Sequence, residues 1–476
     1  MQRSFSLLIF FCCVFWTDVV AQSDSVLILR HADFFQWIRQ HHPFARRAQI
    51  LDEQARQFLR ESRGGFDPKL FADRDNKFYE GTNYFDILRA GLKVPTWWGI
   101  ELKAQYEQAE GVYLGRERTV PENGLGVVGI SVPVAQGLLM DERRAVLRQA
   151  QIFEQSNTAE QLNQLNDLIF DAAQSYAEWV MLYYQKEVFQ EAVDLADERL
   201  QGIIESYRQG DLAAMDTLEA LIQLQDRQLN LQEASLQFLN QTLDLNNFFW
   251  EDNQPLQLAA NFKPQDLDTL LSPIPYSLNE FQNRMDTWRE SHPLLQQYRF
   301  KLASLDIERR LKAEKLKPKI NLEYNFLTGK DTFAPEGQMT LTPANYKWGL
   351  NFSFPIFLRE ARGGLGLTRV KIAQTEFEFS MKEQELFNKW QSYFNELQTL
   401  RQQIDLYTET TANYRQLTAA EITRFRNGES SLFLINARES KQIEAENKLI
   451  SLKAKYFKTW MALYWIGGEL ANFFDL

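Results

Sequence analysis

The chain has 476 residues, 45% hydrophobic and 24% charged, which is enough to bury a large core and excludes a disordered composition. A net charge of −11 argues against a nucleic-acid partner, and four histidines leave little material for a transition-metal site. The two cysteines, Cys12 and Cys13, both lie in the first apolar segment, so the remainder can form no disulfide.

That segment is the first predicted element. Met1-Gln2-Arg3, the apolar run from Leu7 to Trp16 and the small residue Ala21 give the pattern of a signal peptide over 1–21. Removing it takes away Arg3 and Asp18 and leaves the net charge at −11. No later run is long and apolar enough for a membrane-crossing helix. An exported chain could then enter a membrane only as a β-barrel.

From residue 40 the chain is written twice. His42-Pro43 and Pro68 recur as His292-Pro293 and Pro318, both at an offset of 250. Pro133 matches Pro355 at an offset of 222, and Gly210 matches Gly428 at 218. The fall from 250 to 222 places 28 extra residues between Pro68 and Pro133. Each copy reads as a helix starting at His-Pro, alternating strands, and a proline-free block of 121 residues, 134–254 and 356–476. Because proline costs a helix interior about 3 kcal/mol, two equal blocks without it predict matched sets of long helices.

In the first copy, strands fall within about 66–134. Trp98, Ile100, Leu102, Ala104 and Tyr106 alternate with polar neighbours, as do Val128, Ile130, Val132 and Val134. The extra residues include Leu88, Ala90, Leu92 and Val94, also alternating, which predicts an added hairpin. In the second copy, strands fall within about 319–356: Ile320, Leu322, Tyr324 and Phe326, a polar loop, then Trp348, Leu350, Phe352 and Phe354. Alternating stretches about ten residues long with aromatics suit an outer-membrane strand, and equally a half-buried soluble sheet. Between the copies, Ser277 and Glu280 predict a capping box.

The long helices carry heptads. Leu162, Leu165, Ile169, Ala172, Tyr176, Trp179 and Tyr183 step by three and four, and after Gly210 so do Leu218, Ile222, Gln225, Leu229, Gln232, Leu236, Leu239 and Leu243. Glycine ends helices in the left-handed conformation, so the chain is expected to turn back at Gly210 and Gly428. Arg208 and Arg426 suit a helix C-terminus, Asp211 and Glu429 the start of the returning helix.

Other signals are weaker. "GLGVVG" from Gly124 matches a dinucleotide pattern but sits between a turn and a strand. His41-His42 and His292 are read as surface helix-start residues, and "RGGLG" from Arg362 as a strand-to-helix turn. No nucleophile, base and orienter come together, so catalytic, cofactor and metal residues are set at none and no enzyme is expected.

The His-Pro helix starts, the strands ending in Pro133 and Pro355, the Ala150-Gln151 and Ala373-Gln374 pairs, and the twin tips "YRQGDLAAMDTL" and "FRNGESSLFLINA" together resemble the TolC-like outer membrane efflux proteins. The resemblance covers nearly the whole chain after residue 21. It implies a mainly α fold with β: a trimeric outer-membrane β-barrel of four or six strands per chain, continued by a long antiparallel α-helical coiled-coil barrel in the periplasm. The expected division is a first repeat over 22–265 with its tip at 208–212, and a second over 266–476 with its tip at 426–430.

The resemblance also implies partners and sites. Arg208, Gly210, Asp211 and Leu212, with Arg426, Gly428, Glu429 and Ser430, would dock a periplasmic membrane-fusion adaptor. Asp216 matches a gate aspartate of the family; Leu434 and Ala437 stand where many members carry aspartates, which predicts a partly apolar constriction. The implied function is an exit duct of a tripartite efflux or type I secretion system, without cofactor, held in outer-membrane lipid and served by an inner-membrane RND or ABC pump. The rival reading is a soluble periplasmic coiled-coil scaffold or adaptor.

Overall fold

The computed structural model describes residues 27–259, 261–274, 277–283, 285–328 and 344–473. The expected signal peptide and most of the polar loop in the second copy lie outside the described residues.

The chain opens with β1 (Leu27–Leu29), α1 (His31–His41) and α2 (Pro43–Gly64), then strands β2 (Lys69–Tyr79), β3 (Thr82–Pro95), β4 (Glu101–Glu110) and β5 (Leu125–Pro133). Helix α3 (Glu142–Gln209) runs 68 residues, about 100 Å, and α4 (Ala214–Asn246) returns. Short strands β6 (Trp250–Glu251), β7 (Gln254–Pro255) and β8 (Phe262–Pro264) and helices α5 (Leu278–Asn283) and α6 (Met285–Ser291) lead to α7 (Pro293–Glu314). Then come β9 (Lys319–Thr328), β10 (Tyr346–Ser353), α8 (Arg359–Arg426), again 68 residues, α9 (Leu432–Gly467) and α10 (Leu470–Phe473).

The order of elements explains itself locally. His42 and His292 each cap a 22-residue helix with proline at its first position, the imidazole Nδ1 accepting the N–H of Phe44 or Leu294 at 3.2 Å. Ser277 and Glu280 form the expected capping box: the N–H of Glu280 donates to Ser277 Oγ at 3.2 Å, and that of Ser277 to Glu280 Oε2 at 2.7 Å.

Six strands form one antiparallel sheet in the order β10-β9-β5-β4-β3-β2. The added hairpin is present, and β2, whose alternation is broken by Arg74 and Asn76, joins it. Glu80 and Gly81, both at positive φ, make the two-residue turn from β2 to β3. Trp98 and Ile100, read as strand residues, instead belong to the turn into β4: the N–H and Oγ1 of Thr96 both donate to the carbonyl of Ile100, and Gly99 takes φ +85.

The register gives the sheet two unlike faces. One carries Leu70, Ala90, Leu92, Leu102, Val128, Ile130, Leu322, Tyr324, Trp348 and Leu350 in paired positions; the other carries Lys69, Asp73, Arg89, Lys93, Lys103, Glu107, Glu323 and Lys347. The apolar face is the open one, with Leu70, Trp348, Leu350 and Phe352 exposed, whereas Ile87, Gln105 and Val127 on the polar side are buried. The sheet therefore curls with its polar face concave.

Below the sheet the helices form a plate in the order α4-α3-α9-α8, with α2 and α7 packed against α3 and α7 also against α8. Its core is an aromatic belt at which α1, α3, α6, α8 and α9 meet: Phe34, Tyr176, Trp179, Trp288, Trp390, Tyr456 and Trp460. Several polar atoms of these rings are satisfied locally, Tyr176 Oη donating to Leu29 O at 2.7 Å and Tyr456 Oη to Ser272 O at 2.6 Å. No described helix is long and apolar enough to cross a membrane.

Three readings are corrected. The α4 heptad leucines do not face α3: Leu218, Ile222, Leu229, Leu236 and Leu243 are exposed, and the buried positions are Ala220, Leu224, Arg227, Ala234 and Leu245. The face of α4 that packs on α3 is thus a different one, with Ala220 and Leu224 against Ala196, Leu200 and Ile203. Arg362 to Gly366 lie inside α8, not in a turn. His292 is buried, its Nε2 donating to Ile466 O at 3.1 Å; α9 ends over it at Gly468.

Candidate functional site

Both long helices end on a glycine. Gly210 takes φ +86 and donates its N–H to Tyr207 O at 3.0 Å, while the N–H of Asp211 reaches Ser206 O at 3.0 Å. Gly428 takes φ +74 and donates to Phe425 O at 2.9 Å, with Glu429 reaching Arg424 O at 2.9 Å. These paired bonds are the Schellman ending, whose left-handed residue would strain any side chain bearing a Cβ by about 1 kcal/mol. The chain reverses at each, so neither hairpin is one kinked helix.

The two tips sit together. Leu212 and Phe425 pack on a cluster of Ala196, Leu200, Ile203, Ala220, Leu224 and Leu432, drawn from both hairpins. Of the eight residues expected at the tips, Arg208, Gly210, Asp211, Arg426, Gly428 and Glu429 are exposed, and Leu212 and Ser430 are half-buried. Ser430 is tied inward, its Oγ donating to Glu421 Oε1 at 2.6 Å.

Of the expected gate residues, Asp216 has a definite local task. Its Oδ2 accepts the N–H of Ala213 at 3.0 Å, capping α4, a task expected more of Asp211. Leu434 and Ala437 are exposed on α9. Ala437 lines a shallow groove between α4 and α9 with Met215, Leu218, Ile222 and Phe433, and neither Asp216 nor Leu434 shares that lining.

Sequence reasoning missed the ion pairs that lock the hairpins. Arg199 of α3 grips Glu439 of α9 with both Nη atoms, one at 2.7 Å. Arg415 Nε donates to the buried Glu446 at 2.7 Å, and buried Glu421 lies 3.6 Å from Arg424 and 3.8 Å from Arg438. Arg227 is buried between α4 and α9, its Nη2 donating to Ser440 Oγ at 2.8 Å, and desolvation pulls its pKa below the usual arginine value. These charges sit at seams between helices. Glu421 and Arg424, three apart on one helix face, were the available signal.

With this geometry in hand, residues 285–469 match the family model described as outer membrane efflux protein. No curated protein matches the chain in sequence. Among solved structures, the chain is similar to the Campylobacter jejuni CmeC outer membrane channel, at 16% identity and a TM-score of 0.65 over 92% of this chain and 86% of that one. It is similar also to the outer membrane protein VceC of Vibrio cholerae, at 13% identity and 0.63 over 92% and 96%. The open-state MtrE outer membrane channel of Neisseria gonorrhoeae aligns at 14% identity and 0.63 over 92% and 89%. At such identities these likenesses establish the fold.

Proposed function

From a chain that resembles TolC-like outer membrane efflux proteins in fold, and in sequence over residues 285–469, we propose one protomer of a homotrimeric exit duct set in the outer membrane and extending into the periplasm. The observation that carries the reading is the two-faced sheet: its convex face is apolar and exposed, and among the described residues the outer edges of β2 and β10 pair with no further strand. Open edges cannot persist in hydrocarbon, where each unsatisfied backbone group costs several kcal/mol. Strand β10 runs toward the helices and β2 away from them, so β10 of one copy suits antiparallel pairing with β2 of the next. Three copies of a six-stranded wall supply eighteen strands.

The helical plate has the same unfinished geometry. Its edges are α4, with the exposed leucine row, and the tip-proximal half of α8, with Leu406 and Leu417 exposed. Packing α4 of one copy against α8 of the next would close a tube under the barrel. The duct conducts passively; an inner-membrane RND or ABC pump supplies the energy, through a periplasmic adaptor docked on Arg208, Gly210, Asp211, Leu212, Arg426, Gly428, Glu429 and Ser430. Asp216, Leu434 and Ala437 line the narrow mouth when three tips converge. The chain divides into 1–21, 22–265 and 266–476.

Fractionation and mass measurement test this. The full chain expressed in a Gram-negative host is expected in the outer membrane, extracted by detergent as a trimer. A soluble monomer in the periplasmic fraction overturns the duct and favours the scaffold.

A further inference from the structure

One row of the sheet is unlike the rest. The register pairs Lys69 with Lys93, Lys93 with Lys103, Lys103 with Gly129, Gly129 with Asn325, and Asn325 with Lys347, a line crossing all six strands on the concave face. Directly opposed side chains on adjacent strands stand about 4.5–5.5 Å apart at Cβ, and like charges so placed are destabilising. Three lysines on consecutive strands are thus an arrangement that stability alone disfavours. It is also local, since the chain as a whole carries −11.

Among the described residues no ion pair includes a lysine of the row, although Glu323 and Glu107 act on Lys103 from a distance. The ion pairs described on this sheet are Arg74 with Asp86 and Glu101 with Arg143, and neither includes a member of the row. Lys93 lies over the Phe71 ring, 4.7 Å from its centroid. The nearest carboxylate row, toward the helices, holds Glu101, already turned to Arg143, and Glu323; Asp73 and Glu107 lie two rows outward, flanking Arg89. Two of the four lysines, Lys93 and Lys103, stand on the two strands of the added hairpin. The Asn325 side chain fills the line over Gly129, since a Cβ there would come within 2.1 Å of Asn325 Oδ1, and its amide stands between Lys103 and Lys347.

We propose that this row is a binding band for multivalent oxyanions, and that the duct accepts cargo bearing clustered phosphate or carboxylate groups. The inference rests on the reading of the sheet as a barrel wall. In a threefold assembly the band carries twelve ammonium groups around one lumen, and a ring of like charge raises the local concentration of oxyanions. Ligand oxyanions relieve the mutual repulsion of the lysines, and any cargo too weakly charged to do so passes without delay.

The test is block of potassium current through the full-length trimer in planar bilayers by inorganic tripolyphosphate, with orthophosphate as the low-charge probe. Wild type is expected to be blocked by tripolyphosphate at far lower concentration than by orthophosphate. Lys93→Gln with Lys103→Gln is expected to weaken tripolyphosphate block at least about tenfold and to shift the reversal potential toward cations. Lys77→Gln with Lys319→Gln removes the same charge from the same face off the row, and is expected to change block less than about twofold. Equal effects of the two pairs, or no block of wild type, overturn the band while leaving the duct intact. Failure of the wild-type protein to form any conducting pore overturns the duct and the band with it.

Discussion

Helices α4 and α9 are the return arms of two hairpins whose outgoing helices have the same length, 68 residues, and whose turns close with the same pair of hydrogen bonds. Their surroundings differ. Helix α9 lies inside the plate, between α3 and α8, and buries Leu452, Tyr456, Phe457, Trp460 and Met461 in the aromatic belt. Helix α4 lies at the edge and presents Ile222, Leu229, Leu236 and Leu243, seven residues apart, to open space, Leu236 at 58% exposure. Equal backbones thus carry unequal obligations: α9 completes the fold of one chain, and α4 keeps a strip of apolar surface far larger than scattered leucines require, which the proposed assembly would cover with a second copy.

The sharpest way to break this comparison is Leu229→Glu combined with Leu236→Glu. In the isolated chain both positions are more than half exposed, so each change should cost within about 0.5 kcal/mol, and helical circular dichroism should survive. In an assembly each glutamate would be buried against α8 in every interface, at several kcal/mol apiece, and the oligomer should be lost. Sedimentation in detergent reads the outcome, and an intact trimer would remove α4 from the interface.

The same contrast shows how far the residues alone could go. Both turns were legible because glycine at the end of a long heptad helix has one common conformation, and the paired lengths were legible from proline, which interrupts helices wherever it falls. The direction of the α4 row was not. A heptad states that one face is apolar without stating what covers it, and here Ala220 and Leu224, off the heptad row, pack with α3. Strand β2 was hidden because Arg74 and Asn76 interrupt its apolar face and its register shifts between Lys77 and Phe78. At the tips, positions were readable by matching, but the pairing of Glu439 with Arg199 and of Glu421 with Arg438 was not, since each joins two different helices.

His42 and His292 carry the comparison into pH. They cap matching helices through the same bond, but His42 stays half-buried beside Phe248 and Trp250, whereas His292 is 3% exposed under the end of α9. Burial pushes the His292 imidazole down to about 4, and nearby Lys382 acts in the same direction. The folded state therefore resists protonation, so the stability that His292 contributes is complete above about pH 6.5 and is lost as pH falls through the window to about 4. The loss should be about 3 kcal/mol. Unfolding free energies of the wild type from denaturant titrations between pH 7 and pH 4 should fall by this amount, and His292→Asn should flatten the slope; an equal slope in the variant would exclude this histidine as its source.

The smallest effect separates two tasks of one carboxylate. Asp216 caps α4 by accepting the N–H of Ala213, and α9 has Leu434 at the equivalent position, six residues past its tip glycine, so only the first hairpin is capped this way. Asp216→Ala removes both the acceptor and the charge, and should cost about 1 kcal/mol, read as fraying of the α4 start by hydrogen exchange. Asp216→Asn keeps an oxygen that can accept the same N–H and removes only the charge. If three copies of Asp216 narrow the mouth electrostatically, single-channel conductance should rise and block by multivalent cations should weaken in both variants, while only the alanine variant loosens the helix start. If the asparagine variant conducts like wild type and the alanine variant alone is altered, the carboxylate acts through the cap, and the mouth is set by helix position rather than by charge.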